Sequence, residues 1–235
     1  MTHVLTLNSG EQLHYQLAHR QRRSVGLKIT ATGLVVHAPK RISQAELEGI
    51  IAQKADWVRK KLAAMLANQV PAMRWQHGEA LLFLGQNMTL AIAHDLQSKA
   101  VVHEPGFLFV ALPQPQDAKL VARKVILWYK KQALQDFTRR LEIFSSKLGA
   151  NFASLTLSNA GSRWGSCNSR KEIRLNWRLL QAPPHIINYV VCHELAHLKE
   201  MNHSAKFWAI VASLCPDYKM AEKELKSLSA TLHRI

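Results

Sequence analysis

Four side chains in the last quarter of the chain have the types and spacing for hydrolytic chemistry at a metal. They lie in Val190-Val191-Cys192-His193-Glu194-Leu195-Ala196-His197-Leu198 and, six residues beyond His197, at His203. On a helix, residues four apart share a face, so His193 and His197 can aim both imidazoles at one ion. Glu194 is turned about 100° round the helix from His193, where it can reach a water on that ion without ligating it. Such a water needs a base, because zinc lowers its pKa only to about 7. Catalytic zinc commonly takes three protein ligands and keeps one position open. His203 supplies the third. Asn202 tolerates the left-handed conformation that ends helices, which would let the chain turn back toward the ion. Ser204 can then cap the next helix. The residues therefore point to Zn²⁺ held by His193, His197 and His203, with Glu194 as the catalytic base.

Rival assignments are weaker on spacing. Glu200 is seven residues, about 10.5 Å of helix rise, beyond His193. Glu222 or Glu224, from a later helix, would be needed for a site of two histidines and one glutamate. The 193, 197, 203 spacing matches the metzincin pattern HExxHxxGxxH, but Glu200 replaces its glycine and Met220 falls in a helical pattern rather than a turn. Around the motif, Ile186, Ile187, Val190, Val191 and Leu195 make the helix apolar. Unliganded histidines and a glutamate buried there would be costly. Cys192 reads as an apolar filler, since no activating partner is evident.

The elements that must position this site follow from periodicity and caps. Pro183-Pro184 opens its helix, which runs to about Lys199. Helical patterns at 204–214 and 218–232 follow, split by Cys215-Pro216. A long amphipathic helix spans about 117–147 and ends at Gly149, with strands at 154–158 and 172–177 beyond it. Upstream, the start of the chain (1–8) reads as a strand, and 25–30 and 34–38 form a hairpin through Thr32-Gly33. Ser43-Gln44-Ala45-Glu46 is a capping box for a helix reaching about Ala67, with Leu47, Ile50, Ile51, Trp57, Val58 and Leu62 on one side. Further strands read at 80–84, 88–93, 100–103 and 107–112. The shift from strand to helix puts a boundary near residue 114: a β-rich 1–114 region with one long helix, then a 115–235 domain that is mostly helical with a small sheet. No internal repeat or low-complexity tract is apparent. The fold class is α+β.

Of the 235 residues, 31 are Lys or Arg and 16 Asp or Glu, a formal +15. Such a field attracts polyanions, so nucleic acid or nucleotides join the peptide or protein substrate as expected partners. A solvated basic surface accounts for the same charge, and no nucleic-acid motif accompanies it. A hydrophobic share of 48% excludes wholesale disorder. No apolar run is long enough for a membrane span, and the opening residues lack the charged and apolar regions of a signal peptide. The three cysteines, odd in number and without a CxxC pair, argue against a disulfide framework and for a cytoplasmic location.

A longer ordered series is more specific than HExxH. Gly161-Ser162-Arg163-Trp164-Gly165-Ser166-Cys167, Ile173-Arg174-Leu175-Asn176-Trp177-Arg178-Leu179, the HExxH segment, Asn202-His203-Ser204, Phe207-Trp208 and Pro216-Asp217-Tyr218-Lys219 follow one another. This series resembles the YgjP-like metallopeptidase family, relatives of the SprT and WLM zincins, over about 155–225. The resemblance implies a zincin-like domain whose small sheet borders the cleft with an edge strand, at Ile173 to Trp177, and a zinc-dependent peptidase that uses Glu194. Arg163, Tyr189 and Tyr218 are the candidates to steady the oxyanion, and Phe207 and Trp208 are expected as core behind the ligands. Relatives labelled nucleoside-triphosphate pyrophosphatases make a metal-dependent phosphohydrolase the alternative. A nucleic-acid-binding protein with a non-catalytic metal is the other.

Overall fold

The structure is a computed structural model that describes residues 2–7, 9–30, 32–67, 70–95 and 101–235. It is α+β and divides into two compact units, Met1–Gln69 and Val70–Ile235, each with its own core.

The first unit is a four-stranded sheet with two helices: β1 (Thr2–Thr6), β2 (Gln12–His19), β3 (Gly26–Thr30), β4 (Gly33–Ala38), α1 (Gln44–Gln53) and α2 (Ala55–Ala67). The sheet order is β1-β2-β4-β3. Alternation along β4 buries Leu34, Val36 and Ala38, and these pack on Leu47, Ile51, Ala55 and Val58 of the helices. Ser43 caps α1 as the capping box requires, accepting from the Glu46 N–H at 3.2 Å. The single helix expected to Ala67 is broken at Lys54 (φ −103°, ψ 8°), and Trp57 is 41% exposed rather than buried. β2 carries no turn signal strong enough to have marked it, and residues 1 and 8 of the expected first strand lie outside the described residues.

The second unit opens with β5 (Ala80–Phe83), β6 (Gln86–His94), β7 (Val101–Glu104) and β8 (Phe107–Leu112), in the order β5-β6-β8-β7; Ala100, expected in β7, lies outside the described residues. The 31-residue α3 (Ala118–Leu148) follows, capped by Asp117 and ended by Gly149 in the left-handed region (φ 63°). A three-stranded sheet comes next: β9 (Ser154–Ser158), β10 (Gly165–Cys167) and β11 (Glu172–Asn176), in the order β10-β11-β9. A 3-10 turn (Trp177–Gln181) leads into α4 (Pro184–Ala196), α5 (Ala205–Leu214) and α6 (Tyr218–Leu232).

The boundary near residue 114 is thus not where the chain divides. Composition changes there, but Leu81, Leu90, Leu108 and Val110 of the sheet share one core with Val121, Val125 and Tyr129 of α3 and with Ile186, Val190 and Leu195 of α4. The units also repeat one topology, which the sequence hides. In each four-stranded sheet the outer pairs are antiparallel and the central pair parallel. Tyr15 faces Leu34 as Leu90 faces Leu108, and Leu17 faces Val36 as Ile92 faces Val110. Ser43 and Asp117 cap the following helices, whose buried Leu47 and Ile51 match Val121 and Val125. Leu34 and Leu108, and Val36 and Val110, are identical, but at the other matched positions only apolar character is shared, too little to betray the repeat in sequence.

Two contacts of the second unit set the start of α4. The β5–β6 turn donates the Leu84 and Gly85 N–H groups to the Leu180 and Gln181 carbonyls at 2.9 and 3.0 Å. Gly85 is held at φ 81°, and a Cβ there would stand 2.9 Å from the Pro183 Cα, so only glycine fits. The buried Arg140 of α3 is bound to Asp136 and reaches the Asn188 side chain and the Pro184 carbonyl.

Candidate metal centre and its surroundings

α4 is apolar on nearly every side, with Ile186, Ile187, Val191 and Leu195 fully buried, and this is why it sits inside the domain instead of on it. Its first turn carries Pro184, where the missing N–H costs nothing. His193 lies in its last turn and His197 at its C-terminal cap. The turn back to His203 is made without a left-handed residue: Asn202 is not among the described residues with positive φ. Instead the chain tightens after Ala196, with Leu198 N–H on the Leu195 carbonyl and Lys199 N–H on that of Ala196. Ser204 then caps α5 by accepting from the Phe207 N–H at 3.3 Å, which holds His203 one residue outside the helix.

The three histidines come together. Their ligand atoms all lie within 4.8 Å of one another, and the Nε2 atoms of His193 and His203 are 3.1 Å apart. Tetrahedral ligands about 2.05 Å from a zinc ion are separated by about 3.3 Å. The His197 Nδ1 lies 3.1 Å from the Glu200 carbonyl, which can only accept, so Nδ1 carries the proton and Nε2 keeps its lone pair. His193 is held neutral, its pKa pushed down to about 4 by burial and by the neighbouring His197 and His203, and its Nδ1 is buried without a hydrogen-bond partner. Three imidazoles whose ring nitrogens converge at such separations fit a divalent metal. Phe207, fully buried, backs all three rings with centroids at 4.9, 4.6 and 4.6 Å, and Trp208 stacks on Tyr218 beside them.

The rivals are elsewhere. Glu200 contributes its carbonyl, Glu224 pairs with His185 at 2.7 Å and Glu222 with Lys226 at 2.6 Å, and among the described residues the metal-holding group is the three histidines. Cys192 is fully buried, with its thiol pushed up to about 12 by burial, which suits a filler and not a nucleophile.

Glu194 is 4% exposed, and burial raises its carboxyl from 4.5 to about 8, against an opposing pull from Arg163. The strand bordering it differs from expectation. Ile173 to Trp177 is not an edge: β11 is the central strand, with β10 and β9 at the edges. The Ser/Gly-rich 161–167 segment reads as a loop in sequence, yet it pairs antiparallel with β11 from Gly165↔Leu175 to Cys167↔Ile173. Gly165 lies against Glu194, and a Cβ there would come within 2.7 Å of the Glu194 Cγ and Cδ. Reasoning from the residues gave Gly165 no role, although its place in the Arg163-Trp164-Gly165 run marked it. Gly165→Ala should displace the Glu194 carboxyl while leaving metal content unchanged; with Glu194 as the base expected from the sequence, it should also lower kcat by at least about tenfold, since misplacing a catalytic group by about 1 Å can cost about 10²-fold. Metal analysis beside steady-state kinetics checks it, and an unaltered kcat would dismiss the contact.

Of the three oxyanion candidates, Tyr189 is 6% exposed, one turn before His193 with ring centroids 6.0 Å apart. Burial first, and then Glu222 and Glu194, keep its hydroxyl protonated. Arg163 acts on Glu194 through its charge, and Tyr218 stands behind Trp208.

A UTP pyrophosphatase of Escherichia coli (strain K12) is 32% identical over 82 residues, 34% of this chain and 49% of that protein, so the match spans about half the relative's length. Among solved structures, the metallopeptidase zymogen of Pyrococcus abyssi abylysin aligns at TM-score 0.36 and 23% identity over 39% of this chain and 94% of that one. The zymogen of Methanocaldococcus jannaschii jannalysin aligns at TM-score 0.33 and 20% identity over 39% and 96%. The model of the YgjP-like metallopeptidase domain matches residues 23–228, nearly the whole chain, and the chain belongs to that family.

Proposed function

We propose that the protein is a zinc-dependent peptidase in which His193, His197 and His203 hold the metal and Glu194 moves the proton. The observation that carries this reading is a buried carboxyl beside three converging histidines. When bound, the ion supplies Lewis-acid polarisation of the scissile carbonyl and acidifies water. Glu194 accepts the proton of the attacking water on a carboxylate oxygen, holds it in a pocket that favours the protonated form, and delivers it to the departing amine nitrogen. Tyr189, whose hydroxyl stays protonated, donates toward the developing oxyanion. Phe207 and the apolar face of α4 exclude water from behind the ligands.

A peptide reaches this centre along β10. In the β10–β11 pair, the Asn176 N–H meets the Trp164 carbonyl and the Asn168 N–H meets that of Glu172. Alternation along an antiparallel ladder then turns the N–H and C=O of Gly165 and Cys167 away from β11, to the free edge. An extended substrate can pair with them as an added strand, beside Glu194.

The E. coli relative's name favours one second reading, hydrolysis of a nucleoside triphosphate. Against it, a Mg²⁺ site would want clustered carboxylates, and among the described residues the site offers three histidines. The purified chain, chelated and reloaded with zinc, should cleave an unstructured protein such as casein and leave UTP intact, with casein cleavage lost under chelation. Phosphate or pyrophosphate release from UTP with the same zinc dependence, and no casein cleavage, would replace the peptidase reading with the second one.

A further inference from the structure

The repeat described above provides an internal control. Positions that the ββββα module needs for folding carry the same character in both units, and a feature present in one copy alone serves something else. Between β3 and the two helices of the first unit runs a groove made of two clefts of about 420 and 280 Å³ that share Val25 and Ile50. Its floor is apolar, with Val25, Leu27 and Ile50. Arg23 and Arg41 line one cleft, and Lys54 and the 41%-exposed Trp57 the other. Glu46 is the acid of the lining.

In the second unit, the positions matching Arg41 and Lys54 are Pro115 and Trp128, counted from the helix caps Ser43 and Asp117. Trp128 is packed between Phe83 and Tyr129, with centroids at 5.2 and 5.1 Å. The fold therefore requires neither cation, nor an exposed indole. Arg23, Arg41 and Lys54 are all exposed, and among the described residues none of them has a carboxylate within 4 Å; the ion-paired cation of this unit is Arg59. Three free cations beside an indole on an apolar floor complement a chain that carries both phosphates and bare ring faces.

We propose that this groove binds single-stranded nucleic acid, with Arg23, Arg41 and Lys54 on the phosphates and Trp57 stacked on a base. Stacking on an aromatic side chain is sequence-tolerant, because every base has a π-face. A duplex keeps those faces inside and offers phosphates alone. An acidic peptide offers charge without a ring for the indole. The proposal is independent of the metal centre.

The test is fluorescence anisotropy of labelled dT20 and U20 with the full chain at several salt concentrations, with and without chelator. Three phosphate contacts predict a log–log salt slope steeper by about 2 than that of the variant Arg23→Ala/Arg41→Ala/Lys54→Ala, whose affinity should fall by more than tenfold. The equal-charge control Lys119→Ala/Lys131→Ala/Lys223→Ala, at exposed sites of α3 and α6, should stay within about threefold of wild type. Trp57→Ala should weaken binding about 5- to 100-fold, and Trp57→Phe should restore most of it. A preference between dT20 and U20 would identify the sugar the groove favours. Circular dichroism and melting curves confirm that each variant is folded. Equal losses in the two triple variants, an unchanged Trp57→Ala, or binding of polyglutamate or a duplex as tight as that of dT20, would each overturn the proposal and leave a general basic field.

Discussion

Glu194→Gln is expected to lower kcat by about 10²- to 10⁴-fold, the usual contribution of a positioned acid–base group, while the protein keeps its metal. The amide matches the carboxyl in size and can occupy the same space against Gly165, so ligand geometry is preserved. It can neither accept the proton of water nor return one. The same substitution has a second consequence that a purely structural residue would not produce. Burial raises the Glu194 pKa from 4.5 to about 8, so the folded, metal-free protein binds that proton more tightly than the unfolded chain does. A raised folded-state pKa stabilises below the unfolded value, and that stabilisation is lost as pH rises through the folded one. The metal-free wild type should therefore lose melting temperature between about pH 5 and pH 9 relative to Glu194→Gln, whose amide does not titrate. Melting curves of both chelated proteins across that range test it. Parallel curves would show that the carboxyl is not desolvated as the structure has it. Zinc reverses the argument, since a cation beside the carboxylate favours its charged form, and the gap should narrow on reloading.

The stability expected to be gained in Glu194→Gln has a structural origin legible partly in sequence. The apolar residues around His193 and Glu194 already imply burial, and the 193, 197, 203 spacing already implies one ion. The caps at Ser43 and Gly149 were equally readable, because a capping residue acts within four residues of itself. What could not be read depended on pairing at longer range. β10 is three residues long in a Ser/Gly-rich stretch, and only its ladder to β11 makes it a strand and an edge of its sheet. The unit boundary at 69/70 escaped for a related reason: composition changes at 114, but composition does not report which elements share a core. The turn to His203 was assigned to Asn202 by residue preference, whereas a tightened last helical turn achieves it. Local rules name a residue able to make a turn; they do not say that the turn is needed.

The largest binding effect is expected at His203. Removing a partner one shell out from a metal costs about 10- to 100-fold in affinity, and on the proposed reading His203→Ala removes a direct ligand, so its loss should exceed that range. The three histidines are not equivalent in what else they do. His193 is packed among Tyr189, Phe207 and Trp208, with its ring held neutral by burial, and His193→Ala would open a cavity in that packing as well as delete a ligand. His203 is exposed and sits outside α5, in a turn that Ser204 closes without it. His203→Ala should thus lose metal and activity while its metal-free form melts within a degree or two of metal-free wild type. His193→Ala should lose metal and also melt several degrees lower, as cavity formation in a core demands. Zinc at about 100 times its Kd should stabilise the wild type by about 2.7 kcal/mol, a rise of about 5 to 10 °C for a unit of this size. The same addition should leave both variants unmoved and should raise Glu194→Gln too, by less than wild type where the carboxyl is ionised. A full zinc-induced shift in His203→Ala would mean that the third ligand lies elsewhere, and Glu222, whose charge already acts on His193, would be the next side chain to replace.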